Sequence, residues 1–434
     1  MREQPDSRFQ PFVTYEACFL WWWGILLYCC KLGSRRQLDY ELRDLESHVL
    51  CNINRLAGTQ QQSLPVHKTL AHFLGHVGVE SFAAMRTRCV RRLIRMKALD
   101  DCRLGGAFVV ALDGTGYLRF YRQHCRQCLT HRHGQVTVYL HPVLEAKLVA
   151  PGGLALSMGS EFIENAVEST QGQSVQDYER DKQDCELKAF SRLAPVLKGD
   201  FPQTRLCISG DAEFACGTTM QLCKDHGWSF VVVFKPGRTP ALWADFQGLL
   251  KLQTQNRRIV HLPTGVRQEY RWVNGLPYTD SEGRIHHLNA IVCTEHAEQH
   301  QTTYAWLTDM SVSADNVVEI ATKGGRVRTK IENQGFNIQK NHGMNLEHAY
   351  SIDPLNIKAF YLLLQIGHII LQMVERGSLL KNLAHAYRTT PRGLFGSLKN
   401  IARRLTECLR YTRIPDEAFD SALAAACYIR LDTG

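Results

Sequence analysis

The chain has 434 residues, 44% hydrophobic and 21% charged, the composition of a soluble globular protein with room for two to four domains and a large core. Its 51 Lys and Arg against 42 Asp and Glu leave a net charge of +9, modest for the whole chain, so where the charge sits matters more than its size. Fifteen cysteines, an odd number scattered along a long chain and partly inside apolar runs, argue against a secreted disulfide scaffold and for a reducing cytosol.

Residues 1–104 read as a helical, DNA-binding region. ACFLWWWGILLYCC, Ala17 to Cys30, is apolar throughout, but its 14 residues fall short of the roughly 17–25 that a membrane-spanning helix needs. No positive segment precedes it and no small-residue cleavage site follows, so a buried helix is expected and no membrane association. Leu70, Phe73 and Leu74, and then Cys89, Leu93 and Met96, keep helical spacing. The later helix carries RTRCVRRLIRMK, Arg86 to Lys97, with six cations and no acid. A second basic segment, Lys381 to Arg413, sets eight cations against Glu407 alone. Two separated runs suit a polyanion, most simply nucleic acid, and on charge alone read equally well as two solvated helix faces. Arg88, Arg91, Arg92 and Arg95 are the candidate DNA contacts of the first run.

Gly105-Gly106 breaks the helical pattern, and residues 105–235 read as α/β. AFVVALDGTG is a short apolar strand ending in Asp113. QVTVYLHPVLEAKLV and GLALSMGSEFI follow as strands, then KQDCELKAFSRLAPVLKGDF as an amphipathic helix. RLCISGD is a strand ending in Asp211, and a helix to about Trp228 leads into the strand FVVVFK. That β-β-β-α-β-α-β order predicts a three-layer α/β domain with a mixed sheet. Residues 236–312 alternate like strands around the turns Asn274-Gly275 and Glu282-Gly283 and read as a β-rich insertion. Helix returns over 313–376, and 377–434 form a basic helical tail.

Open α/β sheets present ligands beyond the carboxyl ends of their strands, so Asp113 and Asp211 are expected side by side although 98 residues apart. Adjacent carboxylates repel, and a hard cation between them resolves the conflict. RVRTKIENQGFNIQKNHGMNLEHAY, Arg326 to Tyr350, supplies a third acid, setting four basic residues, four asparagines and two histidines around only Glu332 and Glu347. On a helix, Val327, Ile331 and Ile338 make an apolar stripe with Glu332 at its edge, one turn from Arg328. That edge lets Glu332 reach over the sheet toward the aspartates. Three such acids suit a two-magnesium site for phosphodiester chemistry.

LDGTGY, ISGDAEF, and IENQGFNIQKNHG followed by NLEH together resemble the DDE transposases of bacterial insertion sequences, in the branch whose RNase H-like catalytic domain is interrupted by a β-rich insertion. HCRQCLTHRH, YLHPVLEAKLV, EFIEN and KQDCELKAF are similar to segments of the same group, and the resemblance covers most of residues 64–375. It implies that Asp113, Asp211 and Glu332 are the catalytic and metal-binding triad, holding two Mg2+ or Mn2+ ions. It implies that Arg328 and Lys340, with Asn341 beside them, hold DNA phosphates near the scissile bond. The implied enzyme cleaves and transfers DNA strands at the ends of its element, has element ends and target DNA as partners, acts as a dimer in the synapse, and works in the bacterial cytoplasm at the nucleoid. The alternatives are a nuclease of the same fold that does not join strands, and a domesticated DNA-binding protein. Two positions depart from the group: Gly325 stands where a tyrosine is frequent, and Gln339 where a lysine is frequent.

Cys125-x2-Cys128, with His124, His131 and His133 beside it, resembles half of a structural zinc site. The chain has no second CxxC, so a reduced loop is expected in preference to zinc. Trp272 and Trp306 in the insertion are expected to pack between strands rather than to stack on an unpaired base. Glu347 and His348 are expected to be hydrogen-bonded structural groups.

Overall fold

The structure, a computed structural model, describes residues 6–8, 10–44, 47–165, 184–298, 300–418 and 420. Lys182 and Gln183 of the helix expected before Asp211, and the expected tail beyond residue 420, lie outside the described residues.

Five helices come first: α1 (Ala17–Cys29), α2 (Arg35–Leu42), α3 (Val49–Ala57), α4 (His67–His76) and α5 (Val79–Arg95). β1 (Arg103–Leu104), β2 (Ala107–Phe120), β3 (Leu129–His133), β4 (Val136–Ala150) and β5 (Leu154–Phe162) follow, then α6 (Glu186–Asp200), β6 (Leu206–Gly210), α7 (Gly217–His226) and β7 (Ser229–Val233). Next come α8 (Pro240–Leu252), β8 (Arg257–His261), β9 (Arg267–Thr279), β10 (Ile285–His296) and β11 (Gln301–Thr308). The chain then forms α9, a helix of mixed pitch over 317–341, and α10 (Pro354–Arg376), α11 (Ser378–Ala386), α12 (Pro391–Phe395) and α13 (Leu398–Tyr411).

The fold is mixed α/β. One 11-stranded sheet runs β3–β4–β2–β6–β7–β11–β10–β9–β8, with β1 on β2 and β5 on β4. β2 with β6 and β6 with β7 are parallel pairs, and β4 and β11 join this centre antiparallel. Val109 and Ala111 of β2 enter the core on one face of the sheet, and Phe108, Val110 and Leu112 the core on the other. A strand covered on both sides reads as such an unbroken apolar run. α1, α4 and α10 build the first core; α6, α7 and α8 build the second; α5 contributes Phe82 to one and Leu93 to the other.

β2 and the residues after β7 differ from the sequence-based expectation. β2 does not stop at Asp113: it runs on to Phe120 as the partner of β4, with a register shift between Gly116 and Leu118. Within 236–312, β8–β11 extend the central sheet outward from β7, and residues 240–252 are helical. Leu242, Phe246 and Leu250 bury one face of that helix, and Pro240 fixes its first turn.

The apolar segment near the N-terminus is a core helix. Trp21 of α1 packs on Phe82 at 4.4 Å and on Phe73 at 6.0 Å between ring centroids. Gly24 faces Leu363 and Leu70, and Gly367 of α10 faces Tyr28, so the two helices cross where neither carries a side chain. Residues 354–386 are long and apolar enough to cross a membrane, and most of that apolar surface is buried inside the protein. At the far end, α13 returns to the first helices. Asn52 of α3 donates to the carbonyls of Leu409 (2.9 Å) and Thr412 (2.8 Å), and Arg410 lies 3.3 Å from Asp44.

Candidate active site

Two of the acids come level where the parallel ladder ends. Phe108 to Ala111 of β2 pair with Leu206 to Ser209 of β6, so Asp113 and Asp211, each two residues further on, stand level in neighbouring strands. Their side chains share the face of Ala111 and Ser209, because alternate residues on a strand point the same way. β6 turns away at Asp211, whose Oδ1 accepts from the Glu213 N–H at 2.9 Å, while β2 continues with Asp113 opposite Glu145.

α9 lies across that face, anchored where Ser209 Oγ donates to the Gly324 carbonyl at 2.7 Å. Gly324 and Gly325 permit the approach. A methyl group on Gly324 would strike Val231, and one on Gly325 would overlap the Trp306 indole. The indole occupies the space that a large side chain at position 325 would need, so the glycine there has a packing reason. α9 is irregular: wide π turns over Ile320–Gly325 and Ile331–Phe336 flank a tight 3-10 turn at Arg326–Arg328. Wide turns of this kind recur near functional sites. They also rotate the buried face. Val327 and Ile331 are buried as the periodicity predicts, but beyond them Phe336 and Gln339 are buried and Ile338 is only half-buried.

The same irregular turns bring Arg328 and Glu332 to the acids. Arg328 Nη1 lies 3.1 Å from Glu332 Oε1 and 3.8 Å from Asp113 Oδ2, so one guanidinium spans both carboxylates. Glu332 remains about half-exposed, with a side-chain accessibility of 51%, and faces solvent at the rim of the cluster. Burial pushes Asp113 up to about 7; Arg328 works against this, and Glu332, Glu186 and Asp211 reinforce it.

Glu186 has no distinguishing mark in the sequence. It opens α6 and reaches the cluster from the opposite face of the sheet, against Gly114. Burial raises its pKa, Asp211 and Glu213 add to that, and the Gly114 backbone opposes it. An acid in the first turn of a helix is common, since it complements the helix dipole, so its position alone points to no site.

Other expected contacts lie nearby. Lys340 Nζ pairs with Glu347 at 2.8 Å, and Asn341 bonds Asn337 on the exposed side of α9. Gln339 is buried and donates to Gln365 at 2.8 Å, a structural role. Trp272 and Trp306 are buried in the core, as strand packing predicts.

The basic run on α5 divides three ways. Arg86 is buried and donates to Ser160 at 2.6 Å. Arg91 bonds the Gly199 and Asp200 carbonyls, which end α6. Arg88, Arg92 and Arg95 are exposed.

Asp113, Asp211, Glu332 and Glu186 offer only carboxylate oxygens, the donor set of a hard divalent cation such as Mg2+ or Mn2+. Asp113, pushed up to about 7 chiefly by burial and further by the neighbouring acids, with Arg328 close by, would be relieved by such a charge. No protein-family model matches this chain, and no curated protein matches it.

Proposed function

We propose that the protein is a metal-dependent DNA strand-cleaving and strand-transferring enzyme, a transposase of the DDE type. The observation that carries this reading is that Asp113 and Asp211 stand level at the end of the β2–β6 parallel ladder while Arg328 spans Asp113 and Glu332. The antiparallel meander β5–β4–β2 running directly into parallel β6 and β7, with acids at the junction, supports an RNase H-like reading of the sheet.

In this reading Asp113, Asp211 and Glu332 hold the metal. Bound there, a pair of hard cations supplies activation of the attacking hydroxyl and charge stabilisation at the leaving oxygen. Arg328 orients the Asp113 and Glu332 carboxylates and offers its remaining N–H groups to a phosphate. Exposed Arg88, Arg92 and Arg95 hold DNA backbone away from the cut, fixing register without reading sequence.

The test uses the full chain and DNA carrying the sequences that flank its reading frame, with Mg2+ or Mn2+ supplied. Single Asp113→Ala, Asp211→Ala and Glu332→Ala variants should each abolish nicking and end joining and retain DNA binding. Glu282→Ala, on the exposed turn between β9 and β10 and paired with Arg284, should keep activity. A folded Glu332→Ala protein that nicks at the wild-type rate overturns the assignment. Nicking without joined products in the wild type would make the enzyme a nuclease.

A further inference from the structure

A second cluster of ligating side chains lies beyond the carboxyl end of β2, apart from the carboxylates. The loop after β2 turns back through His124, Cys125 and Cys128, and β4 brings His141 beneath it. One potential ligand atom from each of the four residues lies within 4.8 Å of all the others. Cys125 Sγ and Cys128 Sγ are 3.5 Å apart, and His141 Nε2 is 3.1 Å from Cys128 Sγ and 3.6 Å from Cys125 Sγ. A tetrahedron with ordinary Zn–S and Zn–N bonds has edges of about 3.4–3.8 Å. A disulfide would instead require the sulfurs at about 2.05 Å.

Several features mark a built site rather than a chance grouping. Cys128 and His141 are only 4% and 3% exposed. His124 Nδ1 is buried with no hydrogen-bond partner, a costly condition for a polar atom. Phe120 stacks on the His124 ring at 4.6 Å and meets His141 edge-on at 6.1 Å, fixing both imidazoles from one side. The sequence sets His124, His131 and His133 beside the two cysteines as candidate ligands. His131 is instead exposed on β3, and the fourth ligand is His141, which lies opposite Leu118 across the β2–β4 ladder.

The geometry points to a structural Zn2+ site formed by His124, Cys125, Cys128 and His141. Two thiolates with two imidazoles select zinc over the hard cations suited to the carboxylate cluster. Four protein donors close the coordination sphere, so the ion is structural. Leu118 lies five residues along β2 from Asp113, roughly 17 Å at the usual strand rise, so the ion does not share the acids' ligands. Its work is to hold the loop against the sheet and, through it, the ends of the connection between β5 and α6. The Gln127 and Cys128 carbonyls accept from Asn165 at 3.1 and 3.0 Å, and Asn165 Oδ1 accepts from the Asp184 N–H just before Glu186.

The experiment is metal analysis of the full chain, purified under reducing conditions without chelator, followed by removal of the metal and titration with Co2+. The expected result is one zinc per chain. Cobalt should give the visible bands of a tetrahedral site and a thiolate-to-metal charge-transfer band, and Zn2+ should displace it. Cys125→Ser, whose side chain is half-buried and tolerant, and Cys128→Ser should each weaken the charge-transfer band, and His141→Ala should change the visible bands. A metal-free wild type whose Cys125 and Cys128 react freely with thiol reagent in the presence of added Zn2+ overturns the proposal. So does a cobalt spectrum unchanged in Cys125→Ser. These readouts need no DNA and are independent of the strand-cleavage reading.

Discussion

Gly114 lies so close to the Glu186 carboxylate that a methyl group on its Cα would overlap Oε1 and Cδ. The glycine is there for that approach: it lets an acid from the first turn of α6 reach the far side of the strand that carries Asp113. Removing the Glu186 charge should weaken divalent-cation binding without dismantling the triad. Glu186→Gln is expected to raise the Mn2+ dissociation constant about 10–100-fold, the usual cost of losing a group that supports metal ligands. Gly114→Ala should do the same by displacing the carboxylate. Calorimetric titration with Mn2+ measures both, and wild-type affinity in Glu186→Gln would remove this residue from the site.

The second expectation is a pH dependence of stability. Folded Asp113 titrates at about 7 against 3.8 for a free carboxyl, chiefly through burial. Between those values the native state holds a proton that the unfolded state has lost, so this group's contribution falls as pH rises from about 4 to about 7. With divalent metal removed, Asp113→Asn should melt with the wild type near pH 4 and a few degrees above it at pH 8. Thermal unfolding across that range decides the matter; a difference that stays constant with pH would rule out a raised Asp113 pKa.

DNA binding should separate the arginines of α5. Replacing exposed Arg88, Arg92 and Arg95 with glutamine should flatten the salt dependence of binding, by a log–log slope of about 0.9 for each phosphate no longer neutralised. Arg91→Gln should act on stability, because its guanidinium serves the carbonyls at the end of α6. Fluorescence anisotropy at several salt concentrations, beside urea unfolding, distinguishes the two. An unchanged slope in the folded triple variant would take this face out of the interface.

Lys147 and Glu145 form a fully buried pair, 3.3 Å apart, with Lys147 also donating to Gln365 at 2.6 Å. Burial lowers the lysine pKa, and Glu145 opposes that shift. Arg86, also buried, is a second cation acting on Glu145, so Lys147→Ala leaves the carboxylate with one counter-charge in place of two. Glu145→Gln leaves both buried cations without it and should cost the larger amount, about 3–5 kcal/mol. Urea denaturation of the two variants tests this, and equal losses would show that packing, not charge, dominates.

How much of the fold and of the acid cluster is legible in the chain depends on what each signal needs. Strands buried on both faces announce themselves as apolar runs, so β2, β6 and β7 are readable, and so is the level pairing of Asp113 with Asp211. The polar strand LTHRH of β3 carries no such run. The helix 240–252 is lost among the strand patterns around it. The apolar stripe on α9 holds through Ile331 and fails at Ile338, because two wide turns change the pitch and no residue type announces a wide turn. Glu186 and His141 are invisible for a different reason. Each reaches its cluster through tertiary packing, and nothing in the local sequence separates them from an ordinary helix-start acid or a strand histidine.

The crossing of α1 with α10 imposes an order on synthesis. Gly24 meets Leu363 in the folded protein, so a residue made early waits for one made 339 positions later. At ordinary elongation rates of about 5–20 residues per second, that wait is on the order of 20–70 s. During it, Trp21 can settle on Phe73 and Phe82 soon after they leave the ribosome, while Gly24, Ile25 and Tyr28 keep open the face that α10 will cover. A ribosome that stalls before residue 354 therefore releases a chain with an uncovered apolar helix, the kind of surface that chaperones and proteases engage.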